Sequence, residues 1–187
     1  MIVFDLVSKM LAEHYLAPRY VPHKIIGEVV RFTLAYNPGA AFSISLGIYS
    51  RLAFGGLAVV ALFVLWWLYR MTGVGGRPGD SLRIFALGLA WGGAAGNLID
   101  RLRSPLGVVD FIDIGYGNIR FWTFNVADSA VTVGALILAW TLSREDSDRR
   151  LAEAARASGA SASAIEVHER LGATIAPELK GRPGPEA

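Results

Sequence analysis

The sequence predicts a membrane protein, mainly α-helical, with four transmembrane helices and a small β platform. Its composition is the first reason: 53% of the 187 residues are hydrophobic, mean hydropathy is +0.41 and 18% are charged, against about 25% in soluble domains. Its three apolar stretches, Leu52–Tyr69, Leu82–Ile99 and Val126–Leu142, are the second. Each has about 17 to 18 residues, near the shortest length that crosses a hydrocarbon layer of about 30 Å.

The start of the chain, Met1–Ala12, is apolar but short and carries Asp5 and Lys9. A secretory signal peptide is the alternative interpretation. It lacks support because no basic segment precedes the apolar residues and no small-residue cleavage site follows them. We therefore expect the fourth spanning helix here, truncated at its N-terminus.

Two segments between the predicted spans, 13–51 and 100–124, are too polar to cross a bilayer and lie on the same side of it. The first contains "HKIIGEVVRFTLAYNPGAAF", in which β-branched and aromatic residues precede an Asn-Pro-Gly turn signal. The second contains "GVVDFIDIGYGNIRFWTF", which is strand-like on both sides of a glycine-rich turn. Such patterns favour short strands, so we expect a small sheet at the membrane surface.

The predicted span Leu82–Ile99 carries glycine at every fourth position, Gly88, Gly92 and Gly96, and the same register continues to Asp100. A stripe of small residues leaves one side of a helix bare and lets a neighbouring helix approach closely. The pattern predicts tight packing that leads to a carboxylate at the helix end.

Several classes of chemistry are excluded by the residue inventory. There is no cysteine, hence no thiol nucleophile and no disulfide. His168-Glu169 lacks the second histidine of the zinc-peptidase spacing. The net charge of +2 is small, and no basic face indicates a nucleic-acid partner. The basic residues of the loops divide seven against seven between the two sides, so charge leaves the membrane orientation open.

Two aspartates are the candidates for catalysis. Strand alternation in "VVDFIDI" places Asp110 and Asp113 on opposite faces, and helical spacing places Asn125 and Asp128 on one face. If Asp110 faces Asp128, two carboxylates meet in a poorly hydrated setting and share a proton. An ionised carboxylate that activates water beside a protonated one that polarises a carbonyl is the arrangement of aspartic hydrolysis.

Structural and other functional interpretations compete with this one. Asp100 beside Arg101 fits an anchoring charge pair better than a catalyst, and Asp5 with Lys9 at i and i+4 fits a structural ion pair. Asp128 also suits a helix cap in a non-catalytic scaffold. A small proton-coupled transporter is the main alternative function, although the acidic residues cluster at one membrane edge.

Four motifs, in this order, resemble those of lipoprotein signal peptidase, the type II signal peptidase of bacteria. They are "NPGAAFSI" (37–44), "GGAAGNLIDRL" (92–102), "VVDFIDI" (108–114) and "FNVADSAVTVG" (124–134), and "FDLVSK" (4–9) is similar to the first-helix motif of that family. The resemblance implies that the catalytic aspartates are Asp110 and Asp128. It implies eight further residues that line or support the site: Asn37, Gly39, Asn97, Asp100, Arg101, Asn125, Asp5 and Lys9.

The resemblance also implies the biology. We expect a multi-pass protein of the bacterial inner membrane with cytoplasmic termini and an extracytoplasmic active site. The substrates are diacylglyceryl prolipoproteins, cut just before the lipidated cysteine, and the enzyme is a monomer in contact with membrane lipids that uses no metal or other cofactor. Residues 1–145 are the predicted membrane peptidase domain, and 146–187 a cytoplasmic tail, partly helical or disordered.

Overall fold

The computed structural model describes residues 1–39, 49–72 and 80–175, with side chains through residue 158. Four helices form the α-helical part: α1 (Ile2–Tyr15), α2 (Ser50–Met71), α3 (Asp80–Arg103) and α4 (Val126–Ile175). Four strands complete it: β1 (His23–Ile26), β2 (Val30–Asn37), β3 (Val108–Tyr116) and β4 (Ile119–Arg120). The motif residues 40–44 lie outside the described part of the chain.

Three helices of the described chain are long and apolar enough to cross a membrane: Ser50–Met71, Asp80–Arg103 and Val126–Ser158. They contain the three stretches predicted from sequence. None of the most apolar window of α2 is buried within the protein, so that helix offers its side chains to lipid. Helix α1 has 14 residues, or about 21 Å of helix, so a fourth spanning helix remains a prediction.

The predicted sheet is present and is entirely antiparallel, in the order β1-β2-β3-β4. Strand β2 pairs with β3 so that Ala35 lies opposite Asp110 and Asn37 opposite Val108. The turn between β1 and β2 uses Gly27, whose φ is +51°, a conformation that glycine adopts without steric cost. The Asn-Pro-Gly signal instead marks the end of β2.

A small apolar core fastens the sheet to α1. Leu34 of β2 and Val109 and Phe111 of β3 are buried together with Ala12 and Leu16 from the end of α1. Burying such side chains is worth about 1.5 to 3 kcal/mol each. The sheet and the first helix are therefore one packed body.

The glycine stripe of α3 packs as predicted at two of its three positions. A Cβ at Gly92 would lie 2.7 Å from Met1 Cβ, and one at Gly96 would overlap the Asp5 carboxylate, so α1 and α3 approach closely. Gly88 departs from the prediction, because a Cβ there would meet nothing within 4 Å. The tight contact thus covers only the part of α3 nearest Asp100.

The chain divides into two compact units, Met1–Thr141 and a second that begins at Leu142. The first contains α1, α2, α3, the sheet and the beginning of α4. In the second, the backbone is helical through Ile175, and Arg150 pairs with Asp146 one turn earlier at 2.8 Å. The predicted division into residues 1–145 and 146–187 remains a prediction.

Candidate active site

The structure brings all ten predicted site residues to one end of the first unit. They come from the first helix, the end of β2 and the residues after it, the end of α3, the first half of β3 and the start of α4 with the residue before it: Asp5, Lys9, Asn37, Gly39, Asn97, Asp100, Arg101, Asp110, Asn125 and Asp128. These elements meet there because the sheet packs on α1 and because the glycines of α3 let α1 approach closely.

Asn125 and Asp128 cap each other at the start of α4. The Asp128 backbone N–H donates to Oδ1 of Asn125 at 2.9 Å, and the Asn125 backbone N–H donates to Oδ2 of Asp128 at 3.2 Å. This is a reciprocal capping box, which satisfies two backbone donors that a helix start leaves unpaired. Asn125 is therefore the N-cap, and Asp128 is the residue in the first turn whose carboxylate bonds back to it while also lining the cavity.

The residue before this cap fixes the helix start against β3. The Phe124 carbonyl accepts from the Phe111 and Ile112 N–H groups at 3.0 and 2.8 Å, and the Phe124 N–H donates to Ile112 O at 3.0 Å. Because Asp110 precedes Phe111 on that strand, this pairing places Asp110 beside Asn125. Local pattern alone does not predict it.

Asp110 is 4% exposed, and amide side chains surround it. The Asn125 Nδ2 donates to its Oδ1 at 2.7 Å. The Asn37 side chain hydrogen-bonds to it as well, while Asn37 Oδ1 accepts the Gly39 N–H at 3.0 Å. Burial raises the pKa of Asp110 to about 7, and the charge of Asp128 adds to the rise, which the two asparagines and Lys9 partly oppose.

Asp113 serves a different structure, as the alternation of β3 predicts. Its Oδ1 accepts from Arg120 Nε at 2.6 Å and its Oδ2 accepts from Thr33 Oγ1 at 3.2 Å. Arg120 also donates to the carbonyl of Glu28 at 3.1 Å. These bonds tie the two hairpins of the sheet together and leave Asp113 outside the site.

Behind the aspartates lies a buried ion cluster centred on Lys9. Its Nζ lies 2.8 Å from Asp5 Oδ2 and 2.9 Å from Asp100 Oδ2, and all three side chains are fully buried. Asp5 also accepts the Ala127 N–H at 3.0 Å through Oδ1. The predicted ion pair of Asp5 and Lys9 is thus present, and it reaches the first turn of α4.

Asp100 is an anchoring charge, as predicted, but its partners differ from the prediction. It pairs with Lys9 and, at 3.3 Å, with Arg103 Nε, and it accepts the Val109 N–H at 3.3 Å. Arg101 instead donates to the Asn97 carbonyl at 3.1 Å. Helical geometry turns neighbouring side chains about 100° apart, so two consecutive residues seldom share partners.

The aspartates open into a cavity of about 830 Å³. Its polar wall contains Arg101, Asn37, Asp110 and Asp128, and its apolar wall contains Phe54, Phe121, Trp122 and Val133. The volume is within the range of ligand sites, about 300 to 1,000 Å³. An extended, partly apolar chain therefore has room beside both carboxylates.

Gly39 closes one side of this cavity. Its φ is +118°, a region that other residues rarely adopt. A Cβ there would also lie 2.6 Å from Phe54 Cδ2 and 3.0 Å from the Ser50 carbonyl. Both the backbone conformation and the close approach of α2 therefore require glycine.

Sequence reasoning did not identify ten of the residues that line the cavity: Ala35, Tyr36, Phe54, Phe121, Trp122, Thr123, Phe124, Ser129, Thr132 and Val133. Thr132 lies one turn after Asp128, so helical spacing contained the signal for it. The aromatic pair carried no such signal, because exposed aromatics before a membrane helix are typical of an interface. Among the residues that the structure describes, no group of three or more His, Asp or Glu side chains is arranged to hold a metal ion.

The fold and the site define a class of protein: a helical membrane protein with two carboxylates in a cavity at one end of its apolar helices. A family model described as signal peptidase (SPase) II matches residues 1–144. The chain belongs to this family, and it is a peptidase.

Individual relatives agree with the family. A lipoprotein signal peptidase of Coxiella burnetii (strain RSA 493 / Nine Mile phase I) is 42% identical over 141 residues, which cover 73% of this chain and 81% of that protein. Its counterpart in Acinetobacter baylyi (strain ATCC 33305 / BD413 / ADP1) is 39% identical, covering 73% and 74%. A bacterial membrane enzyme solved by the in meso method at 2.3 Å superimposes with a TM-score of 0.66 at 27% identity, covering 79% and 85%. The comparisons support signal peptidase II function and give no support to a transporter.

Proposed function

We propose that Asp110 and Asp128 are the catalytic pair of this aspartic endopeptidase. The observation that carries the proposal is their convergence: two carboxylates from distant parts of the chain meet at one cavity. The Asn125 amide donates to the Asp110 carboxylate and accepts the backbone N–H of Asp128. The pKa of Asp110, raised to about 7 chiefly by burial, leaves about half of this carboxyl protonated at neutral pH. Pairs of carboxylic acids whose surroundings give them different pKa values are typical of such catalysts.

The reaction needs only these two groups and a water molecule. The ionised carboxylate takes a proton from the water, and the hydroxyl oxygen bonds to the scissile carbonyl carbon. The protonated carboxyl gives its proton to the carbonyl oxygen, which leaves a neutral tetrahedral diol. Collapse of the diol breaks the C–N bond: the amide nitrogen takes the proton that the first carboxylate received from water, and one diol hydroxyl returns its proton to the other carboxylate as the new carbonyl forms. The pair is then back to one ionised and one protonated member.

The proposed substrate is a diacylglyceryl prolipoprotein, cut just before its lipidated cysteine. The curated relatives are named lipoprotein signal peptidases, and the cavity has walls suited to such a molecule. Phe54, Phe121 and Trp122 present apolar surface next to the carboxylates. A signal peptide and two acyl chains are likewise apolar, and they reach such a site from the membrane without crossing water.

The remaining predicted residues have supporting roles in this proposal. Asn37 and Asn125 orient Asp110 and are placed to hydrogen-bond peptide groups of the substrate. Arg101 lines the cavity close enough to interact electrostatically with both aspartates. Gly39, Asn97, Asp100, Asp5 and Lys9 hold the elements that carry these groups.

We further propose the topology that the family resemblance implies. Helix α1 is the fourth spanning segment of a monomer in the bacterial inner membrane, the active site faces the extracytoplasmic side, and the tail from residue 146 is cytoplasmic. The site uses the end of α3 and the start of α4, which is the same membrane side for two consecutive antiparallel spans. The sheet lies at that side too, where an open backbone edge has water available.

Cleavage of a purified diacylglyceryl prolipoprotein by purified enzyme tests the proposal. Replacing Asp110→Asn or Asp128→Asn is expected to abolish cleavage while the protein still inserts and melts cooperatively. Asp113→Asn is the matched control, since it changes a buried carboxyl on the other face of the same strand and is expected to leave cleavage measurable. Undiminished cleavage in the Asp110→Asn and Asp128→Asn proteins would reject the assignment.

A further inference from the structure

Lys9 lies at the centre of the hydrogen bonds that reach the aspartates. An ammonium group has three protons and no acceptor, and three oxygens surround this one: Asp5 Oδ2 at 2.8 Å, Asp100 Oδ2 at 2.9 Å and Asn97 Oδ1 at 2.9 Å. Lys9 is fully buried. All three protons are therefore committed, and each points in a direction that α1 and α3 determine.

This contact determines the orientation of the Asn97 amide. The atom that faces Lys9 must be the carbonyl oxygen, because the amide nitrogen cannot accept a proton from an ammonium. The amide nitrogen then faces the other way, where it donates to Asp128 Oδ1 at 2.8 Å. A single lysine thereby directs an N–H group at one aspartate.

The same oxygen orients a second amide. Asn97 Oδ1 also accepts from Asn125 Nδ2 at 3.1 Å, and the other proton of that nitrogen goes to Asp110 Oδ1 at 2.7 Å. The Asn125 oxygen is left to accept the Asp128 backbone N–H at 2.9 Å. Every bond in the chain from Lys9 to the two aspartates therefore has only one possible direction.

The two aspartates receive different donors from this network. Asp128 accepts Asn97 Nδ2 on one oxygen and the Asn125 backbone N–H on the other, at the start of a helix where the backbone favours negative charge. Asp110 lies on a strand, and its donors among the described residues are the side-chain amides of Asn125 and Asn37. Among the described residues, Lys9 of α1 and Arg101 of α3 are the charged groups that interact with the pair, and Tyr36 of β2 lines the same cavity.

We propose that Lys9 is a positioning residue for the catalytic pair: by orienting the amides of Asn97 and Asn125, it directs one N–H donor at the carboxylate of Asp128 and another at the carboxylate of Asp110. This rests on the proposed function, in which these two aspartates are catalytic. Asp128 is then the base that takes a proton from water, and Asp110 is the acid that faces the scissile carbonyl.

Difference infrared spectroscopy tests the location of the proton without any turnover. At one pH unit below the Asp110 pKa of about 7, the wild-type protein is expected to show the carbonyl band of a protonated carboxylic acid. The band is expected to disappear in Asp110→Asn and to persist in Asp128→Asn, since burial is the main reason that Asp110 keeps its proton. Loss of the band in Asp128→Asn alone would overturn the assignment.

Steady-state kinetics of Asn97→Leu test the role of Lys9. This change removes the hydrogen bonds of Asn97 with Asp128 and Asn125. It leaves Lys9 its ion pairs with Asp5 and Asp100, so the protein is expected to fold. We expect kcat to fall about a hundredfold, as for a misplaced catalytic group, with KM within about threefold of wild type. Unchanged kcat would overturn the proposal.

Arg103→Gln is the control for a purely structural effect. It removes the bonds to Asp100 at 3.3 Å and Glu13 at 3.2 Å and leaves Lys9 and Asn97 untouched. We expect a lower melting temperature with wild-type kcat. Equal losses of kcat in Arg103→Gln and Asn97→Leu would show that the cluster acts on stability alone. Cleavage that survives Asp110→Asn or Asp128→Asn would instead reject the catalytic assignment, whatever the infrared result.

Discussion

The amide nitrogen of Asn125 lies 2.7 Å from Asp110 Oδ1, while its amide oxygen accepts the backbone N–H of Asp128 at 2.9 Å. One side chain therefore both caps a helix and bridges the two aspartates. The two tasks are separable by mutation, because a cap needs only an oxygen whereas the bridge needs the nitrogen.

Asn125→Ser and Asn125→Ala separate these tasks. Serine is as good an N-cap as asparagine, whereas alanine loses about 1 kcal/mol of stability. We expect both variants to lose most of their activity, because neither donates to Asp110, and only Asn125→Ala to lose the cap. Thermal unfolding and cleavage assays on the same preparations measure the two effects. Full activity in Asn125→Ser would show that the bridge to Asp110 is dispensable.

Activity is expected to decline as pH rises through about 7. Burial, reinforced by the Asp128 charge, raises the pKa of Asp110 to about 7, so the acid member of the pair loses its proton above that value. The pH dependence of kcat/KM for a diacylglyceryl prolipoprotein measures this limb. A profile that stays flat well above pH 7 would contradict the role of Asp110 as the acid.

The free energy of unfolding is also expected to depend on the protonation of Asp110. Below its ordinary pKa of 3.8, Asp110 is protonated in both the folded and the unfolded chain. As pH rises from there to about 7, only the folded chain keeps the proton, so the free energy of unfolding decreases. The total decrease is of the order of 4 kcal/mol.

Asp110→Asn removes this pH-dependent loss. Above pH 7 the variant is expected to be more stable than the wild type, although it is inactive, because the amide carries no charge to bury. Thermal melts across the pH range, with Asp113→Asn alongside, measure the difference. Parallel stability curves for wild type and Asp110→Asn would contradict the burial of an ionisable Asp110.

Gly96→Ala is expected to be destabilising, whereas Gly88→Ala is not. A Cβ at Gly96 would overlap the Asp5 carboxylate and push α1 away from α3, and overpacking of this kind costs about 1 to 3 kcal/mol. A Cβ at Gly88 would meet nothing within 4 Å, so helix propensity changes stability there by at most about 1 kcal/mol. Unfolding in detergent measures both, and equal effects would refute the close contact at Gly96.

The sequence predicts those parts of the molecule that periodicity governs. The three apolar spans, the strands of the sheet and the opposed faces of Asp110 and Asp113 all follow from local spacing. The shared face of Asn125 and Asp128 follows as well, whereas their reciprocal capping does not, since the sequence suggested only Asp128 as a helix cap.

The contacts that build the site lie beyond such patterns. Phe124 pairs with Ile112 through backbone atoms, which every residue has, so no letter in the sequence indicates the pairing. Gly88 shares the spacing of Gly92 and Gly96 but lies where no neighbour approaches. The aromatic wall of Phe121 and Trp122 looks like an ordinary membrane interface until the fold places it beside the aspartates.

The bond from the Ala127 N–H to Asp5 Oδ1 joins residues 122 positions apart. During synthesis, the first helix therefore leaves the ribosome long before its partner exists, and the acid pair cannot assemble until α4 has been made. Under the proposed function, a growing chain of this protein is therefore inactive, and cleavage begins only when the start of α4 docks against α1.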